Sequence, residues 1–147
     1  DDVICRFRYE EVKVDVMNTK ALGWAPANPW FAPGFALKEL IKIEGQVIQI
    51  LPLPYFLATK FAAYNSRGKN EPRTSHDFED IVYVLENRRG IWSEMNSAGE
   101  DVKEYLRTEF RELIKNTNIY EWVDCHVERG SPPATTIIID ELRKFTT

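Results

Sequence analysis

Few side chains in this sequence combine a reactive type with an unusual setting, and they fall into three groups. The first is Asp15, which stands inside the apolar strand-like run VKVDVM (residues 12 to 17). Aspartate is a poor strand former, so its presence asks for a reason. Either that sheet face is open to water, as one face of an antiparallel sheet often is, or the carboxylate is a metal ligand or catalytic group. The second group is basic. Lys60, Arg67, Lys69 and Arg73 fall within fourteen residues, and Lys60 and Arg67, seven apart, are only about 20° apart around a helix. An ammonium is a compact point charge and a guanidinium a planar fork, so together they could grip phosphate oxygens; equally they could extend into water from an amphipathic helix. The third group is Asp77 and Asp80, three apart and so on one helix edge, preceded by His76. Asp77 suits the positive end of a helix dipole. That role explains Asp80 less well, and a second reading has Asp80 pair with and position Lys60 or Arg67. His76, alone at a helix start, reads as a surface residue.

These groups need elements to hold them. Residues 3 to 8 and 11 to 17 alternate in polarity, which predicts a β-hairpin turning near Tyr9 and Glu10, with Val12, Val14 and Val16 facing helices and Asp15 on the opposite side. From Asn18 to Pro33, three prolines, two tryptophans and a glycine without a period predict an irregular loop. Trp24 and Trp30 in it could stack on a base or lid the core; the core is favoured. A short helix is expected over Phe35 to Ile41 and a third strand over 46 to 51. Helices are expected from Pro54 to Gly68, behind Thr74 or Ser75 as cap, and over 90 to 98, 100 to 116, 118 to 127 and 134 to 145. The resulting class is α+β: a partial sheet of about three strands in residues 1 to 52, then a helical region in residues 53 to 147.

Composition bounds the functions available. A chain of 147 residues with 44% hydrophobic side chains can build a real core. A net charge of −4 and pI near 5.3 argue against a broad nucleic-acid-binding surface, so any phosphate chemistry must be local. Neither a membrane span nor a signal segment is apparent, and a cytoplasmic protein is expected. Cys5 and Cys125 lack the spacing of a zinc site and read as buried free thiols. Because the chain starts at Asp1 and enters a strand almost at once, it reads as part of a longer polypeptide.

The stretch ICRFRYEEVKVDVMNTKALGW resembles the strand, hairpin and loop signature of AbiEii-type nucleotidyltransferases. The likeness continues through PYFLATKFAAYNSRGKN and SHDFEDIVYVLENR, covering about residues 4 to 90. From Ile91 onward only general helical character is shared. The resemblance implies a nucleotidyltransferase-like sheet followed by a helical domain, and a toxin of a toxin–antitoxin system. It would transfer a nucleotide from an NTP to an RNA or protein acceptor, with Mg²⁺ as cofactor and an antitoxin protein as a possible partner. Two hard cations about 4 Å apart perform such transfers when carboxylates hold them. Asp15 matches the third of the family's three carboxylates and would be a metal ligand. Lys60 would lie at the triphosphate with Arg67 and Lys69, and Asp80 would position them. The glycine-containing turn and D-x-D strand that supply the first two carboxylates are not found in this sequence, and adjacent Asp1 and Asp2 would point to opposite faces of a strand. The chain is therefore expected to be catalytically incomplete. The alternative is a non-catalytic binding or interaction module that keeps the fold.

Overall fold

The computed structural model describes residues 6–21, 27–68, 71–128 and 134–147. The predicted hairpin is present as β1 (Arg6–Tyr9) and β2 (Val12–Asp15), antiparallel, with Phe7 opposite Val14 and Tyr9 opposite Val12. Strand alternation puts these four apolar side chains on one face and Arg6, Arg8, Lys13 and Asp15 on the other. The apolar face is not covered. Val12, Val14 and Val16 are all exposed, and Tyr9 reaches 72% exposure, so the expectation that the valines face helices is corrected.

A second correction concerns residues 31 to 50. The helix expected over Phe35 to Ile41 is instead α1, Phe31–Ala36, and the residues after it form a strand, β3 (Glu39–Ile43), paired antiparallel with β4 (Gln46–Ile50). Pro33 fits α1 because the amide it lacks would have no intrahelical partner in a first turn. The strand is explained by its turn: Glu44 and Gly45 have φ of 48° and 85°. Two left-handed central residues match the twist of a tight hairpin, and Gly45 adopts that φ at no steric cost. In place of a three-stranded sheet, the described residues form two separate two-stranded sheets, β1-β2 and β3-β4.

The core is built by helices. In α2 (Leu53–Ala63), Tyr55, Leu57, Ala58, Thr59 and Phe61 are all buried, so the helix is covered on most sides and lies at the centre of the packing. Pro54 sits in its first turn, where proline is tolerated. A π-helical turn, Tyr64–Gly68, extends it. Helix α3 (His76–Asn87) starts at Ser75, whose side-chain oxygen accepts from the Phe78 amide at 3.3 Å, and Asp77 and Glu79 occupy its positive end. Then follow α4 (Ile91–Asn96), α5 (Glu100–Ile114), α6 (Ile119–Asp124) and α7 (Ala134–Phe145). Val102, Leu106 and Phe110 recur every four residues and form the buried stripe of α5. Phe110 joins helices at the centre, its ring lying edge-on to Phe61 at 4.9 Å and to Phe145 at 6.0 Å. Cys125 follows α6 and is exposed, against the expectation of a buried thiol, because Ile119 and Val123 take the inward face of that helix. Cys5 lies outside the described residues. No helix among the described residues is long and apolar enough to cross a membrane.

Candidate functional site

Helices α2 and α3 pack side by side and bring two of the three sequence groups together. Lys60 projects from the last turn of α2 with its ammonium over the Phe56 ring, Nζ lying 5.4 Å from the centroid. The ammonium meets Asp80 Oδ2 at 2.5 Å and Asp77 Oδ1 at 3.7 Å. Arg67, on the π-helical turn, donates from Nε to Asp77 Oδ2 at 2.8 Å and from Nη2 to Asp77 Oδ1 at 3.0 Å. Asp77 is the hub: it is only 5% exposed and serves both cations, whereas most of the Arg67 side chain is in water. Burial pushes the Asp77 carboxyl up, but the hydrogen bonds and charge of Arg67, together with Lys60, outweigh it and hold the group below the ordinary carboxylate value. The Arg67 guanidinium is pushed up in turn by its hydrogen bonds to Asp77. The expected pairing of Asp80 with Lys60 is therefore present, and Asp77 does more than complement a helix dipole.

Beside this network runs a groove of about 550 Å³ lined by Ile50, Leu51, Leu53, Phe56, Asp80, Tyr83 and Val84. Lys60 adjoins it through its contacts with both Phe56 and Asp80. Tyr83, one turn beyond Asp80, is well exposed and was not singled out by sequence. Its spacing of three from Asp80 was the available signal.

The other sequence candidates lie elsewhere. Asp15 is engaged across the hairpin by its register partner Arg6, which donates from Nε to Oδ1 at 2.7 Å and from Nη2 to Oδ2 at 2.9 Å. These hydrogen bonds hold the Asp15 carboxyl below its ordinary value. Arg73 leaves the basic group and pairs with Glu121 at 2.8 Å and Glu71 at 3.2 Å. His76 is a surface residue, its Nδ1 2.9 Å from Glu79 Oε2. Trp30 packs against Tyr55 and Tyr105, with centroids at 6.2 and 4.8 Å, and belongs to the core. Lys69 and Trp24 lie outside the described residues. Sequence also did not point to His126, whose Nε2 donates to the Pro72 carbonyl at 2.8 Å and pins the connector before α3.

The Mg²⁺ that the resemblance implies does not fit the described residues. Among them no three His, Cys, Asp or Glu side chains converge as metal ligands, and both Asp15 oxygens accept from Arg6. No protein-family model, curated protein or solved structure matches the chain.

Proposed function

We propose that this chain is the nucleotide-binding, helix-rich part of a nucleotidyltransferase-like protein and does not transfer a nucleotide by itself. The observation that supports this reading is the Lys60 ammonium, held by Asp77 and Asp80 beside an apolar groove. Apolar walls containing Phe56 and Tyr83 suit a flat aromatic ring. An ammonium fixed next to them suits a phosphate chain, with Arg67 as a second donor. Transfer to an RNA or protein acceptor, with Mg²⁺ held by carboxylates from another part of the polypeptide, is the corresponding activity of the whole protein. A role in a toxin–antitoxin pair belongs to the same reading.

The network also limits affinity. Two carboxylates already face the two cations, so a triphosphate must draw Lys60 away from Asp80. Equilibrium dialysis of labelled NTPs against the chain is the test, with weak saturable binding expected. Lys60→Gln should lower that affinity at least tenfold while costing about 1 kcal/mol of stability, since it removes one charged contact from the buried Asp77. The second reading, a non-catalytic interaction module, is favoured by the exposed apolar face of β1-β2. It takes over if the wild type binds no NTP and Lys60→Gln changes stability alone.

A further inference from the structure

The outer edge of β2 carries a pattern that its own hairpin does not use. Glu10 and Glu11 form a two-residue hydrogen-bonded turn, with Tyr9 opposite Val12. That pair exchanges backbone bonds, and in an antiparallel ladder bonded and non-bonded pairs alternate. The N–H and C=O groups of Val12 and Val14 therefore face β1, and those of Lys13 and Asp15 point outward. Among the described residues no strand pairs with that edge, and every residue of the hairpin is exposed. An open edge of this kind is a template for a further strand, and two strands alone are only marginally stable in water.

Charge decides which strand. On the polar face Lys13 is the register partner of Arg8, and like charges set directly opposite are destabilising. Neither has an ion pair among the described residues. Residues 12 to 16 read valine, lysine, valine, aspartate, valine. A second copy laid antiparallel about Val14 therefore sets Lys13 of each copy opposite Asp15 of the other, and Val12 opposite Val16. The outward backbone groups of Lys13 and Asp15 are the ones this pairing uses, and the two Val14 residues meet as a non-bonded pair on the two-fold axis. The same operation on the outer edge of β1, about Phe7, sets Arg6 against Arg8 and is repelled. Pairing thus closes at four strands instead of growing into a filament.

We propose that this chain self-associates through β2, forming a two-fold dimer whose sheet runs β1-β2-β2-β1 across the two copies. The exposed apolar side chains Phe7, Tyr9, Val12, Val14 and Val16 of one hairpin continue into those of the other, and their cross-strand contacts add to the backbone bonds. The interface shares no residue with the Lys60 network, so it is independent of the nucleotide reading.

The test combines sedimentation equilibrium of the full chain over a concentration series with charge reversal. The wild type should be a reversible dimer. Lys13→Glu should weaken association about tenfold, because it sets carboxylate against carboxylate at two symmetric positions. The same change removes the clash with Arg8, so unfolding of the hairpin does not account for the loss. Asp15→Lys alone should weaken association likewise, while an equimolar mixture of the two variants, whose charges are complementary again, should recover it. Register is read by oxidation of single-cysteine variants in a chain carrying Cys5→Ser and Cys125→Ser. Val14→Cys lies on the axis and should crosslink, whereas Val12→Cys sits about 13 Å from its counterpart and should not. A wild type that stays monomeric throughout, a dimer indifferent to Lys13→Glu, a mixture that fails to associate, or equal crosslinking from Val12→Cys and Val14→Cys would each overturn the proposal.

Discussion

Among the described residues the same two-pronged arginine–aspartate contact occurs twice, once on the β1-β2 hairpin and once between α3 and the π-helical turn. Arg6 and Asp15 pair at 2.7 and 2.9 Å, and Arg67 and Asp77 at 2.8 and 3.0 Å, so bond lengths do not distinguish them. Their surroundings do. Asp15 stands in water on a hairpin whose apolar side is also exposed, whereas Asp77 is buried against the best-packed part of the chain. Water screens the first pair and supplies alternative partners if it breaks. Nothing of the kind is at hand for Asp77. One chemical contact thus has two values, set by whether the elements carrying it close a core.

That comparison can be broken or sharpened by three experiments. The largest effect belongs to the helical core: Phe61→Ala should cost about 3 to 5 kcal/mol in urea unfolding, since it empties space between α2 and α5 at a fully buried site. A loss under 1 kcal/mol would show that the helices do not pack as one unit. Asp77→Ala comes next, at about 2 kcal/mol, because it strands Lys60 and Arg67 without their common partner. Its wild-type contribution should also depend on pH. Asp77 is held below its ordinary value of 3.8, so its stabilisation is complete above that pH and is lost as acid carries the solution through the lower folded value. The Asp77→Ala variant should lack that part of the acid transition. The smallest effect is expected for Asp15→Asn, with no measurable change in Tm. A clear loss of stability there would mean that burial does not separate the two pairs.

Legibility followed the range of the interactions. Helices from Pro54 onward could be read from spacing and caps, Ser75 and Pro54 included, because both signals lie within a turn or two of the residues they govern. The stretch FALKELIKI could not be read the same way, since its apolar spacing suits a short helix as well as a strand. The deciding signal was Glu44-Gly45, a turn pair whose left-handed backbone favours a hairpin. Asp15 was legible as an aspartate on the face opposite the valines, but its partner depended on a register that pairs it with Arg6, nine positions away. The link from Lys60 to Asp80 was anticipated from charge and helix edge. That Asp77 is the buried hub was not, because it follows from how α2 and α3 cross. A cleft lined by Tyr55, Arg88 and Glu94 joins residues from 37 to 99, and no local pattern marks it.

The π-helical turn at Tyr64–Gly68 has a consequence for which letters this stretch can carry. Asn65 reaches to one side and donates to Glu109 of α5 at 3.0 Å, while Arg67, two positions later, reaches to the other and holds Asp77 of α3. Tyr64 fills the space between, its ring 5.5 Å from Phe78. A π turn contains one residue more than the α turn it replaces, and each residue of an α-helix accounts for about 100° of rotation. The turn is accordingly specified by its length more than by its spelling: solvent surrounds Ser66, but the count of residues between Ala63 and Gly68 sets which way both grips point.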